Sequence, residues 1–298
     1  MSVARPGVRY FGDGGLLQDG GRRRRFINSL GFVVVLVTTT IAIVYPFYWM
    51  VMASFMPLGY SLGNETPLIL PKQFSLEPWL AIFHERPLLL WLGNTTIINV
   101  TATFVVIPVS LLASYSLNRY RFRGRMPFIV FVLLGQLLPA SALIVPLFLM
   151  FRDAGLLNTT GGVVIAYITF MLPTAIWVLW GYMQGIPLYF EEAALVDGCN
   201  RFQAFRLVTL PLAMPGLAAT SLFIFLDGWN HYLLAFVLAG STDQWVISLG
   251  LFAFIGAYHT EIEQMMATSV VAAAPALVVF ALLQRHLRGG LALGGMKG

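Results

Sequence analysis

The chain has 298 residues, of which 58% are hydrophobic and only 10% are charged, and its mean hydropathy is +0.79. A soluble globular domain carries roughly 25% charged residues, because polar groups must cover its surface. The composition therefore excludes a water-soluble globule and predicts that most of the chain faces lipid. The net charge of +5 indicates a nucleic-acid partner only if the basic residues do not serve as helix-end signals.

Long stretches without acidic or basic residues dominate the sequence. A bilayer core of about 30 Å requires about 20 apolar residues of helix, and six stretches are about long enough. We therefore predict an all-α polytopic membrane protein with six transmembrane helices. The predicted spans are residues 29–55, 92–117, 127–150, 162–184, 211–239 and 265–284. Prolines within or near these spans, such as Pro139, are compatible with membrane helices because neighbouring helices satisfy the freed carbonyls.

Four consecutive arginines at 22–25 precede the first span, as in a secretory signal peptide. The apolar run that follows lasts about thirty residues and has no small-residue cleavage site after a short core. The sequence therefore predicts an uncleaved first transmembrane helix at 29–55, preceded by a cytosolic segment at 1–28.

The distribution of basic residues predicts the orientation. If the N-terminus is cytosolic, fifteen Lys and Arg residues fall on the cytosolic side and three on the external side. Such an asymmetry follows the positive-inside rule and predicts that both termini are cytosolic. Because the arginines are spread over four separate loops as helix-end anchors, the same distribution argues against a nucleic-acid partner.

The external segment at 57–90 is the longest predicted connection between helices. After Pro57 it contains four more prolines together with Trp79, Phe83 and His84, which favours an irregular loop with a short interfacial helix. Two interpretations remain open at this stage: a solvated connector, or a docking surface for an external partner.

Recognisable catalytic motifs are absent from the sequence. None of the four histidines has a second histidine at the i, i+4 spacing of a helical zinc pair, and no Gly-x-Ser-x-Gly nucleophile elbow occurs. The chain also lacks the P-loop pattern that holds ATP. Its single cysteine, Cys199, cannot form an intramolecular disulfide. We therefore predict that the chain is not an enzyme and binds neither a metal nor a cofactor.

The predicted internal loop at 187–211 is longer than a simple connection between antiparallel helices requires. Acidic residues follow Pro187, which favours a helix N-terminus because the helix dipole is positive there. Gly198 suits the left-handed residue that ends a helix. The loop is therefore predicted to form a short helix, a glycine turn and a second segment on which Phe202 and Phe205 share one face.

The spacing within this loop resembles the EAA loop of permease subunits in bacterial ATP-binding cassette (ABC) importers. Glu192-Ala193-Ala194 is followed after three residues by Gly198 and, after nine more, by Val208-Thr209-Leu210-Pro211. The C-terminal sequence Gly-Gly-Met-Lys-Gly and the pair Trp229-Asn230 are similar to those of MalG-like carbohydrate permeases. The chain departs from the family pattern at Val208, where isoleucine is usual, and at His231, where an acidic residue is usual. The resemblance covers about residues 90–298.

This resemblance implies the type I ABC importer permease fold, with a core at 91–285 and a cytosolic tail at 286–298. The loop at 187–211 would be the coupling loop, which sits in a cleft of a separate ATPase subunit. The implied partners are a second homologous permease subunit, two ATPase subunits that bind ATP and Mg, and an external solute-binding protein. The implied location is the bacterial cytoplasmic membrane. The coupling residues would be Glu191, Glu192, Ala193, Ala194, Asp197, Gly198, Phe202, Phe205 and Pro211.

Polar residues within the predicted spans are candidates for a solute pathway, because such residues are costly in lipid and tend to face a cavity or another helix. The densest cluster begins at Asp227, about 24 Å along the fifth span from Pro211 at 1.5 Å per residue. The candidates are Asn94, Gln136, Asp227, Trp229, Asn230 and His231. The alternative interpretation is hydrogen bonding between helices, with Trp229 as an interfacial anchor.

Together these patterns predict a permease subunit that moves a sugar or sugar-like solute by alternating access, driven by ATP hydrolysis elsewhere. A self-contained secondary transporter or channel is the main alternative, but it would require an inverted repeat or a coupling-ion site. An intramembrane enzyme would require a catalytic pair at membrane depth, and Asp227 stands alone in its span.

Overall fold

The fold is described by a computed structural model for residues 16–60, 70–137, 139–256 and 260–294, with side chains for residues 31–60, 70–137, 139–256 and 260–285. The chain divides into one compact unit that ends at Met52 and a second that begins at Ala53. The described part of the first unit is helix α1, Leu16–Ala53, without its last residue, and the stretch Gly31–Ala53 of this helix is long and apolar enough to cross a membrane. This helix begins thirteen residues before the predicted start at residue 29.

The second unit is a bundle of helices, and no β-strand occurs in the part of the chain that the structure describes. A short helix, α2 at Glu77–His84, lies within the segment predicted as an external loop, and the next helix begins at Leu88. The further helices are α3 Leu88–Arg119, α4 Arg125–Leu137, α5 Ile144–Asp153, α6 Thr160–Gln184, α7 Tyr189–Val196, α8 Arg201–Ala204, α9 Leu210–Trp229, α10 Tyr232–Leu238, α11 Ile247–Gly250 and α12 Ile262–Gly294.

The predicted third span at 127–150 is not one straight helix. Helix α4 ends at Leu137, and the following helical segment, Ala140–Asp153, is inclined to it by 87°. Pro139 has an extended backbone, with ψ of 126°, and its ring removes the N–H that an uninterrupted helix would need. The described residues therefore contain five helices long and apolar enough to cross a membrane, or six if this bent pair is one span.

The predicted fifth span at 211–239 is wrong at both ends. The helix begins at Arg201 and runs through α8, a π-helical segment at Phe205–Thr209 and α9 to Trp229. It ends there because His231 leaves the helical conformation, with ψ of 88°, and the hydroxyl of Tyr167 donates a hydrogen bond to the His231 carbonyl. Helix α10 is therefore a separate element.

The core of the bundle lies where α3, α6 and α9 pack together. Ile98 and Ala102 of α3, Ala166 of α6 and Ile224 of α9 are buried in one apolar cluster. Helix α12 packs against α9 and α2. The last predicted span at 265–284 extends in the structure to Gly294, so that helix α12 includes most of the predicted C-terminal tail.

Gly228 marks the closest approach of α9 to its neighbours. A Cβ atom added there would lie 2.0 Å from Met171 Cε and 2.2 Å from Asn99 Oδ1. Asn99 is itself fixed, because its Nδ2 donates a 2.8 Å hydrogen bond to the Phe225 carbonyl. The glycine is thus required by steric contact between helices.

We expect Gly228→Ala to lower the thermal stability of the detergent-solubilised protein, since overpacking a dense core costs about 1–3 kcal/mol. Gly181→Ala is the matched control, because Gly181 also lies in a helix but has no atom within 4 Å of the added Cβ. Thermal unfolding of the two variants would contradict the packing assignment if both melted alike.

Candidate functional site

The loop that follows α6 contains helix α7, whose end is defined by a glycine turn. Gly198 has φ of +94°, and its N–H donates to the Leu195 carbonyl at 3.2 Å. The N–H of Cys199 donates to the Ala194 carbonyl at 3.0 Å. These two bonds form the Schellman motif, in which the residue after the helix adopts a left-handed conformation. The prediction that Gly198 ends a helix is confirmed.

The segment after this turn is the first part of a long helix and not a separate surface segment. Asn200 caps the helix: its side chain accepts a 2.9 Å hydrogen bond from the Gln203 N–H, and the Gln203 side chain accepts one from the Asn200 N–H. The helix then widens at Phe205–Thr209 into a π turn, two residues before Pro211. Because proline has no N–H, the α-helical hydrogen-bond ladder is interrupted near this position.

A buried carboxylate connects α7 to the neighbouring helices. Glu191 Oε1 accepts a 2.6 Å hydrogen bond from the Tyr115 hydroxyl, and its Oε2 accepts a 3.0 Å hydrogen bond from Thr209 Oγ1. Arg119 Nε lies 2.9 Å from the same Oε2, and the side chains of the ion pair are only 4% and 10% exposed. We call Tyr115, Arg119, Glu191 and Thr209 the carboxylate cluster.

Three members of the carboxylate cluster were missed in the sequence. Tyr115 and Arg119 lie one turn apart on α3, and i, i+4 residues project from the same face of a helix. This spacing was the available signal, but Arg119 was counted only as a positive-inside charge. Thr209 occupies the variable position of its motif, so nothing local marked it.

The structure corrects two of the predicted coupling residues. Glu191 was expected to be available to basic groups on a partner, but its carboxylate is enclosed by Tyr115, Arg119 and Thr209. Phe202 and Phe205 were expected to share one face, yet Phe205 packs edge-on against Tyr115 at 4.7 Å whereas Phe202 is 70% exposed. The spacing between the two residues is α-helical, since the Phe205 N–H bonds to the Arg201 carbonyl, but the rotation of about 60° between them around the helix axis is enough to turn only Phe205 toward α3.

The outer face of α7 and its turn combines exposed apolar and acidic residues. Val196 is 86% exposed and Phe202 70%, whereas Ala194 is buried. We define the loop surface by its exposed residues, Tyr189, Phe190, Glu192, Ala193, Val196, Asp197 and Phe202. Large exposed apolar patches with a polar rim are typical of protein–protein contacts. Pro211 is also exposed but lies further along, in the first turn of α9.

The polar residues near the other end of α9 differ in their surroundings: some are bonded inside the protein and others are exposed. Trp229 is buried, and its Nε1 donates to the Ala272 carbonyl of α12 at 3.1 Å. Asn230 is exposed and donates to the Leu226 carbonyl of its own helix. Asp227, 44% exposed, lies 3.9 Å from His231 Nδ1. The Trp229 side chain is therefore engaged in a contact between helices, as the alternative interpretation of this residue expects.

Asn94 likewise forms hydrogen bonds within the protein. Its Nδ2 donates to the carbonyls of Asp243 at 2.7 Å and Trp245 at 3.0 Å. Nearby, Thr95 Oγ1 accepts from the Ile247 N–H at 2.7 Å. These bonds attach the segment before α11 to α3. Gln136 is exposed in the last turn of α4.

Comparisons with known proteins identify the family. Residues 106–292 match the family described as binding-protein-dependent transport system inner membrane component. The chain belongs to this family. It is a multi-pass protein of the cytoplasmic membrane and a permease subunit of an ABC transporter, which confirms the main prediction from the sequence.

The permease has relatives over nearly its whole length. It is 33% identical over 277 residues to the inner membrane ABC transporter permease protein YcjP of Escherichia coli, covering 92% of this chain and 99% of the relative. It is 34% identical over 265 residues to the diacetylchitobiose uptake system permease protein DasC of Streptomyces coelicolor, covering 89% and 96%.

A solved structure shares the fold of the permease. It belongs to a bacterial ABC transporter involved in the import of the acidic polysaccharide alginate, with a TM-score of 0.71, 23% identity, and coverage of 88% of this chain and 97% of that one. The predicted all-α permease fold is thereby confirmed.

We expect Asn94→Ala to loosen the segment that α3 holds in the permease. Two hydrogen bonds to backbone carbonyls are removed, each worth about 1 kcal/mol, so amide exchange across residues 242–247 should accelerate about tenfold or more. Hydrogen–deuterium exchange read by mass spectrometry measures this. Thr96→Val is the control, since exposed Thr96 bonds only the Leu92 carbonyl of its own helix. Trp91 Nε1 also donates to the Thr242 carbonyl at 3.0 Å, so unchanged exchange in Asn94→Ala would show that the bonds of Trp91 and Thr95 suffice to hold the segment.

Proposed function

We propose that this permease is one of two membrane-spanning subunits of an ATP-driven importer and that its loop surface sits in a cleft of a separate ATPase subunit. The observation that carries the proposal is the contrast within one short helix. The inner face of α7 is fixed by the carboxylate cluster, whereas its outer face exposes Tyr189, Phe190 and Val196. Aromatic side chains are enriched at the energetic centres of protein interfaces.

The remaining subunits follow from the family. Its members depend on a binding protein, and the permease carries no P-loop sequence, so ATP and Mg would be bound by two ATPase partners. A second, homologous permease subunit would complete the pathway. The positive-inside distribution favours a cytosolic location for both termini and for the loop surface, where an ATPase has access to nucleotide.

The solute is proposed to be a sugar or an oligosaccharide. The relative DasC is a diacetylchitobiose uptake permease and the structural neighbour imports alginate, so related chains act on carbohydrates. Within this permease, the polar groups left to face a solute are Asp227, Asn230 and His231, together with Gln136. Their hydroxyl-bonding chemistry fits a neutral sugar, because carboxylate, amide and imidazole groups all bind hydroxyls. Alternating access would expose them to each side in turn.

Photo-crosslinking tests whether the loop surface contacts an ATPase subunit. We expect benzoylphenylalanine at position 202, replacing exposed Phe202, to crosslink in native membranes to a polypeptide that an azido-ATP probe also labels. The same substitution at Phe205 is the matched control, because that ring packs inward against Tyr115 and should give no such crosslink. If position 202 labels only lipid, the loop surface is not seated in an ATPase.

Gly198 provides a second test, on coupling. A side chain at φ of +94° is strained although the space around Gly198 is open, and left-handed backbone costs roughly 1–2 kcal/mol in an L-residue. We expect Gly198→Val to lower uptake about fivefold to thirtyfold, the range that such an energy represents, while the subunit stays in the membrane and ATP hydrolysis continues.

Gly198→Asn is the control for that measurement, because asparagine tolerates a left-handed backbone better than a β-branched residue. It should keep most of the uptake. Sugar uptake and phosphate release are measured in the same vesicles. Equal uptake by Gly198→Val and wild type would show that the shape of the turn is irrelevant to transport.

A further inference from the structure

The carboxylate cluster lies behind the loop surface and is closed to any partner. Glu191 uses Oε1 for Tyr115 and Oε2 for Thr209 and Arg119, and the residue is only 8% exposed. Thr209 is fully buried. An ATPase subunit seated on the outer face therefore cannot reach this carboxylate without first separating α7 from α3.

The carboxylate cluster joins separate segments of the chain to one turn of α3. Arg119 reaches the linker before α7, since its Nη1 donates to the Ile186 carbonyl at 3.3 Å. It also pairs with Glu191 on α7 itself. The Glu191 carboxylate in turn accepts a hydrogen bond from Thr209, which lies in the π turn at the start of the next long helix.

The geometry assigns Glu191 as the positioning residue that holds α7 to α3 and to the π turn while the importer works; the inference rests on the proposed function. A displacement of α7 by its partner is transmitted to both helices through this carboxylate, because its oxygens are shared between them. Its neighbour Glu192 lies about 100° further around the helix and is exposed. Adjacent acidic residues thus serve different surfaces: Glu192 belongs to the loop surface and Glu191 to the interior.

Burial makes the contacts of the Glu191 carboxylate strong. Hydrogen bonds and ion pairs are stronger in a low-dielectric interior than in water, and a buried charge that loses its partner is costly. The contact between α7 and α3 is therefore stiff in the direction that would separate Glu191 from Arg119. Apolar contacts alone, such as Phe205 against Tyr115, are less directional and allow sliding.

Distance measurement between spin labels tests this assignment in the whole transporter purified from its native membranes. Cys199 is the only cysteine of this chain, so Cys199→Ser provides the background. Labels are placed at Leu195→Cys on α7 and Leu112→Cys on α3, which are both partly exposed. We expect one distance population in the nucleotide-free state and the same one after trapping with ATP and vanadate. In Glu191→Ala we expect that single population to be lost on trapping, because α7 then moves with the ATPase while α3 stays behind.

Glu191→Ala leaves Arg119 buried without its partner and can impair folding, so a second variant is included. The double change Glu191→Leu with Arg119→Met replaces the ion pair by apolar side chains, which often preserves folding, and it should show the same loss of the single population. Glu261→Gln is the control: it removes another Arg–Glu pair, 3.1 Å long and about one third exposed, between Arg86 and the start of α12, and should leave the distances unchanged.

The outcomes separate the two proposals. Suppose that the protein with intact Glu191 crosslinks from position 202 to the ATPase, and that both Glu191 variants keep one spin-label distance with and without nucleotide. The positioning role of Glu191 is then wrong, whereas the contact between the loop surface and the ATPase is supported. If the wild-type protein gives no crosslink, the proposed function fails and the positioning role with it. A shift confined to the two Glu191 variants supports both proposals.

Discussion

The arrangement of the loop at 187–211 depends on the need to satisfy one carboxylate that is removed from water. An unpaired buried charge costs several kcal/mol, so the structure must supply a cation and hydrogen-bond donors in correct geometry. Arg119 supplies the cation and Tyr115 a hydrogen bond from a single turn of α3, and Thr209 supplies a second hydrogen bond from the next helix. The register of α7 against α3 is therefore fixed, since moving α7 by one residue would bury Glu192 in place of Glu191.

Backbone irregularities position the same contacts. The Schellman turn at Gly198 reverses the chain after α7, and the capping box at Asn200 starts the next helix at once. The π turn before Pro211 then brings Thr209 to the carboxylate of Glu191. Each irregularity lies at a place where an uninterrupted α-helix would direct the side chains elsewhere, which agrees with the frequent occurrence of π turns at functional positions.

At the far end of the bundle, polar side chains serve mainly to bond backbone carbonyls. Asn94, Trp229 and Tyr167 all donate to main-chain carbonyls of other segments. Inside a membrane a carbonyl has no water to bond, so a break in a helix persists only where a side chain satisfies it. Asp227 and Asn230 remain exposed. The two ends thus differ in chemistry: buried charge at one, backbone tethering at the other.

The sequence by itself determined the membrane class, the approximate helices, the short α7 and its end at Gly198, because apolar length, charge asymmetry and glycine position are local signals. It could not determine where the fifth long helix ends, since His231 is placed by Tyr167, which is distant in the chain. The start of that helix at Arg201 was missed although the capping box of Asn200 and Gln203 is a local signal. Nor could the sequence distinguish inward Glu191 from outward Glu192. Only tertiary packing decided that, because the partners of a buried carboxylate come from helices separated by up to 76 residues.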